Sequence, residues 1–212
     1  MPPIAPTWSM LADATALTLL VAYHGYLVLV ARRAPGRTII GRNRAIREAW
    51  LREIMSRRAD LLAVQTLRNW TMTATFLAST AMLIAIGIVH FIFVNQPGVG
   101  ASSAILRADL AETKLLLLAG LFFVAFFCFA QTLRVLNHLG FEAAVVDEAI
   151  HADTLAHLHR LANAFTLGMR GYYLSLPFAL WLFGSVHFLV GAVVLLLLLR
   201  RLDFTAAGDA AA

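Results

Sequence analysis

The sequence predicts an all-α, polytopic membrane protein with four transmembrane helices and helical cytoplasmic extensions. Three observations carry this. The chain is 60% hydrophobic and only 14% charged, whereas a soluble domain carries roughly 25% charge. Its apolar residues are bunched into four runs close to or above the roughly 20 residues that cross a bilayer core. None of the runs alternates with period two, so helices, which satisfy their own backbone hydrogen bonds in lipid, are expected rather than a barrel.

The four runs are Met10–Ala31, Trp70–Val94, Leu115–Leu133 and Tyr172–Leu199. They belong to a single domain over 1–204, with an Ala/Gly/Asp segment at 205–212 expected as a mobile tail, because it has little apolar content to order it. No internal repeat or linker divides the chain. The first run follows "MPPIAPTWSM", which has no positive charge, and precedes Arg32 and Arg33. That order is the reverse of a secretory signal, so a retained helix is expected.

The distribution of Lys and Arg orients the helices. Residues 32–69 contain ten arginines and 134–171 contain three, against Arg107, Lys114, Arg200 and Arg201 elsewhere. The positive-inside rule then places 32–69 and 134–171 in the cytoplasm, with both ends outside, in a bacterial inner (plasma) membrane. Arg200 and Arg201 fit this arrangement poorly, since they load the outer end of the fourth run.

Between the first two runs, "GRNRAIREAWLREIMSRR" packs six arginines into 41–58. Orientation accounts for most of them. Ile46, Trp50 and Ile54 also recur at four-residue spacing, which puts them on one helical face flanked by Arg44, Arg47 and Arg52. Such a helix can lie among headgroups, with Trp50 inserted and the arginines on anionic lipid phosphates. It can instead pack against the other cytoplasmic segment. No RNA-binding motif accompanies the basic run, so nucleic acid is not an expected partner.

The second run is entered without Gly or Pro through "LLAVQTLRNW", so Gln65, Arg68 and Asn69 fall on a helical extension at the cytoplasmic threshold. Arg68 is expected to pair with an acidic group in 142–153, Glu148 foremost, clamping the two cytoplasmic segments together. In "NHLGFEAAVVDEAIHADTLAHLHRLANAF", Gly140 is read as a break between helical stretches. Within the fourth run, Pro177 is expected to kink or unwind the helix, and Gly184, Ser185 and Gly191 to permit close helix packing.

Several blocks together resemble a family of integral membrane domains of unknown function found in bacteria and plants. They are Tyr23–His24, "TIIG" (Thr38–Gly41), Asn43, Trp50, "LAVQTLRN" (Leu62–Asn69) and "MRGYYLSLPFALWLFG" (Met169–Gly184). The resemblance spans roughly residues 20–190. It implies an integral membrane protein and supports the four-helix reading, but supplies no substrate, cofactor or catalytic residue.

Chemistry is sought first among ionisable residues in the apolar runs, because each costs several kcal/mol to bury without a partner (roughly 2.5–3.5 for Asp, Lys or Arg). These are Asp13, His24, His90 and His187. Asp13 and His90 lie at matching depths near the outer ends of two antiparallel helices and are read as a candidate pair. His24 and His187 on facing helices could ligate haem b or a metal if their side chains converge. Glu148 and His151 form one E-x-x-H, a candidate for a divalent metal, although di-iron bundles use two such pairs. Cys128, the only cysteine, is read as a packing residue. HExxH, Walker A, Gly-rich dinucleotide loops and G-x-S-x-G are absent. The expected function is a non-enzymatic, oligomeric transport or channel-like unit, or a subunit of a membrane assembly. The alternative is a haem- or metal-binding redox subunit.

Overall fold

The structure, a computed structural model, describes residues 7–57, 60–94, 110–142 and 148–204, apart from the side chains of 7, 57, 60, 110 and 148–152. The tail at 205–212 lies outside the described residues. Six helices are present among them: α1 (Thr7–Arg33), α2 (Ile39–Arg57), α3 (Asp60–Val94), α4 (Leu110–Glu142), α5 (Glu148–Trp181) and α6 (Ser185–Asp203). Among the described residues, four helical segments are long and apolar enough to cross a membrane: Trp8–Arg33, Leu61–Val94, Ala111–Glu142 and Ser185–Asp203. The protein is an all-α polytopic membrane protein, as the composition predicts. Segments of 34 and 32 residues in α3 and α4 run to about 51 and 48 Å at 1.5 Å per residue. A hydrocarbon core of about 30 Å therefore leaves each with a long extension outside it. Gly140 does not break α4, which continues to Glu142.

The chain forms two compact units, residues 1–45 with 174–212 and residues 46–173. In the first, α1 and α6 run parallel. Near the start of α1, the Trp181 Nε1–H donates to Asp13 Oδ1 at 2.8 Å, four residues before α6 begins. Near the other end, Tyr23 donates to Asp203 Oδ2 at 2.7 Å and the Tyr26 ring meets Phe204. Beyond α1, a 3-10 turn at Pro35–Arg37 leads into Thr38, whose backbone forms an isolated bridge with Phe204.

The "TIIG" block has a local role here. Buried Thr38 donates its hydroxyl to the Pro35 carbonyl and accepts the Gly41 N–H, a side-chain N-cap for α2. A Cβ at position 41 would collide with the Pro35 backbone, so only glycine fits the closed turn.

The expected fourth span, 172–199, is not one helix. The chain turns at Leu182–Gly184, where Gly184 sits at φ +128°, a backbone conformation that favours glycine. α6 then folds back along the end of α5. Trp181 stacks on Phe188, with centroids 4.7 Å apart, and a Cβ on Gly191 would lie 3.3 Å from Pro177 Cα. Pro177 is fully buried inside α5; the helix passes through it and breaks five residues later. Gly184 and Gly191 thus serve packing within the chain.

In the second unit, α5 runs antiparallel to α4 and parallel to α3. Phe165 meets Trp70 and Phe129, while Tyr172 meets Phe122 and donates to the Leu77 carbonyl at 2.7 Å. The buried face of α3 is mostly alanine (Ala74, Ala78, Ala81, Ala85), whereas that of α4 mixes Ala119 and Ala125 with Phe122 and Phe129. Small residues allow close backbone approach. A Cβ on Gly168 would lie 2.8 Å from the Phe129 ring, and one on Gly171 would lie 3.4 Å from the Leu121 carbonyl. Beyond the apolar runs, Leu51 of α2 joins Leu67, Val135, Leu136, Leu139, Leu158, Leu161 and Ala162 in one buried cluster.

Candidate functional site

Two carboxylates of the first unit are held by aromatic donors, Asp13 by Trp181 and Asp203 by Tyr23. His24 Nδ1–H donates to the Leu20 carbonyl at 2.8 Å, which leaves Nε2 buried with no hydrogen-bond partner. His187 is exposed near the start of α6. These two histidines do not converge. His24 neighbours Tyr23, which bonds Asp203, and 16 helical residues separate Asp203 from His187, about 24 Å along the axis at 1.5 Å per residue. One haem iron is within reach of only one of them, so they do not form the expected ligand pair. His90 is exposed on α3.

In the second unit the sequence places a charge where the helices are tightly packed. Arg170 is 9% exposed, between Phe165 and Tyr172 on α5. Those neighbours set its level opposite 70–77 of α3 and 129–122 of α4. This is about 8–14 Å inside the ends of the two apolar runs by helical rise. On the same stretch of α5, Leu167 and Leu176 are exposed while Gly168, Gly171 and Ser175 are buried. A water-facing helix would show the opposite pattern. The sequence signal was available, since Arg170 lies in "MRGYYLSLP"; a fourth apolar run drawn from Tyr172 leaves it just outside and conceals its depth.

Beyond the apolar runs, two histidine–carboxylate pairs join separate helices. His159 Nε2–H donates to Glu48 Oε1 at 3.0 Å, linking α5 to α2, and Arg52 approaches the other Glu48 oxygen at 3.7 Å. His157 Nδ1–H donates to both Glu142 oxygens, at 2.7 and 2.9 Å, linking α5 to α4. The clamp between segments is therefore made by Glu48 and His159. Gln65, Arg68 and Asn69 are all exposed, Glu142 is held by His157, and the side chains of Glu148 and His151 lie outside the described residues, so neither the expected Arg68 clamp nor the E-x-x-H site is formed by described groups. Among the described residues, no group of three or more His, Cys, Asp or Glu could hold a metal.

Trp50, expected against lipid, packs instead against the buried cluster. Ile54 is also buried, whereas Ile46 is 55% exposed. Arg44 and Arg52 are exposed and Arg47 is half-buried. Beside His157, the α4–α5 cleft is lined by Gln131, Arg134, Val135, His138, Glu142 and Arg160, with a volume of about 440 Å³.

Residues 11–207 match the protein family of unknown function DUF599. The chain belongs to that family. No curated protein and no solved structure matches it. The DUF599 match covers α1 to α6 and includes the buried Arg170, the Thr38 cap and the Gly184 turn.

Proposed function

We propose that this DUF599 protein is a non-catalytic, multi-pass unit of a membrane transport assembly, working as a homo-oligomer, with Arg170 on the path of a small anion. The burial of Arg170 among the apolar helices carries this proposal. Arginine is rare at such depth in a membrane helix and there faces a bundle interior or a water-filled path, and a helix with only space to fill would place Leu or Ala there. The helices of one chain enclose little space, so self-association is expected to complete a path. Reconstituted vesicles test this with stopped-flow uptake of chloride, nitrate and thiocyanate. Wild-type protein should raise uptake above that of empty vesicles, R170Q should abolish the increase, and R170K should retain part of it. Uptake indistinguishable from empty vesicles refutes the proposal.

The proposed orientation has the start of α1 outside and the end of α6 in the cytoplasm of the inner (plasma) membrane. It is supported by the shared end of α1 and α6, since Phe204 pairs with Thr38 and Asp203 with Tyr23. If α1 crosses, Arg200 and Arg201 lie on the same side as Arg32 and Arg33. This replaces the expectation that both ends are outside, and leaves only Arg107 and Lys114 opposite, in better accord with the positive-inside rule. An odd number of crossings follows, with the apolar half of α5 as the fifth.

A further inference from the structure

We propose that the cleft between α4 and α5 is a binding site for a phosphate-bearing anion. Its lining follows from helical spacing. Gln131, Arg134, Val135, His138 and Glu142 stand at i, i+3, i+4, i+7 and i+11 on one face of α4, and His157 and Arg160 stand three apart on α5. The cleft they border has a volume of about 440 Å³, within the range of small-molecule sites.

The charge balance identifies the ligand class. Among the described residues, Glu142 is the single acidic one lining the cleft, and both its oxygens accept the His157 Nδ1–H. Its negative charge is thereby engaged on one wall. Arg134 and Arg160 are exposed and form no ion pair among the described residues. Two guanidinium forks open to one space, with Gln131 and His138 able to donate beside them. Planar forks match phosphate oxygens in a bidentate way, and two positive charges repel a metal cation. The position of the cleft adds a second argument. Arg134 directly follows the apolar run ending at Leu133, so a crossing α4 sets this guanidinium at headgroup level. The phosphate can belong to an anionic lipid or to a soluble phosphoester. Binding here does not depend on transport through the Arg170 region, and a protein without flux can still hold the ligand.

The experiment uses the full chain in nanodiscs. In one arm, neutral phosphatidylcholine discs are titrated with inorganic phosphate and glycerol phosphate by calorimetry. In the other, the discs carry phosphatidic acid, and lipid retained through delipidation is read by native mass spectrometry. Saturable binding is expected in at least one arm: the soluble arm assigns a free phosphoester, the lipid arm alone a headgroup. R134Q/R160Q should weaken it about tenfold or more, since charge-assisted bidentate bonds are lost. R68Q, which removes an exposed arginine elsewhere, should leave it within about twofold by the same logic. E142Q, which removes the negative charge from the cleft, should tighten binding, a result a misfolded cleft cannot give. The proposal is overturned if neither arm shows binding, if R134Q/R160Q binds as wild type does, if R68Q is as damaging as the double variant, or if E142Q weakens binding.

Discussion

Leu51→Ala tests whether the arginine-rich helix α2 packs on protein or on lipid. Leu51 is 4% exposed and sits in the buried cluster with Leu136, Leu139, Leu158 and Leu161. The substitution removes three carbons, a transfer loss of about 2.4 kcal/mol at roughly 0.8 per methylene. Surrounding helices collapse only partly around the cavity, which brings the expected cost to about 2.5–4 kcal/mol. For a chain of about this size, each kcal/mol lowers the melting temperature by roughly 2–4 °C, so a fall of about 5–16 °C is expected. Ile46→Ala is the internal reference. Ile46 lies on the same helix but is 55% exposed, and its truncation should cost well under about 1 kcal/mol on the same area scale. Melting both variants in neutral-lipid nanodiscs, followed by tryptophan fluorescence, separates the two packings. A helix lying among headgroups would lose little melting temperature from either change, because lipid refills the space. Equal and small shifts for Leu51→Ala and Ile46→Ala would refute the protein-packed assignment.

Three further outcomes are expected. The Glu48–His159 hydrogen bond, between side chains 28% and 13% exposed, should give a coupling of about 1 kcal/mol in a double-mutant cycle of E48Q and H159A; additive melting shifts would remove it as a clamp. G191L should destabilise the α5–α6 hairpin by about 1–3 kcal/mol through overpacking, because its Cβ meets the Pro177 backbone. G87L, at a position with open space around it, should not, and equal melting of the two variants would count against the hairpin. A reporter fused just after Phe204 should read cytoplasmic together with one in 32–37, while a reporter preceding α1 reads external; opposite sides for the first two would break the parallel pairing of α1 and α6.

Much of the fold was legible because lipid imposes a coarse rule: a long apolar run with charged flanks must be a helix. The limits of legibility have equally physical reasons. The break at Leu182–Gly184 was hidden because the turn is itself apolar, so a run-length reading passes straight over it; the positive φ at Gly184 leaves no mark in hydropathy. The stripe Ile46–Trp50–Ile54 fixed a face without saying what covers it, since lipid and a leucine cluster are equally apolar. Depth along a helix suggests partners such as Arg68 and an acidic group in 142–153, but which side chains meet across helices depends on rotation about each axis. The observed pair, Glu48 with His159, is 111 residues apart, beyond any local periodicity. Glu142 and His157 stand 15 apart on different helices, and only the antiparallel packing of α4 and α5 aligns them.

The same physics explains how the proposed fifth crossing escapes hydropathy, which finds four candidate spans among the described residues. A helix that faces lipid all round must be apolar all round. A helix packed against others needs apolar residues only where lipid remains, and its inward face is free to be small or polar. The later half of α5 has that pattern: Gly168, Arg170, Gly171 and Ser175 are buried, while Leu167, Leu176 and Leu180 are exposed. In water the exposed leucines would be costly; in a bilayer they are at home, and the arginine faces the packed helices instead of lipid. The inward arginine that lowers the hydropathy of α5 is thus also the residue whose burial points most directly to function.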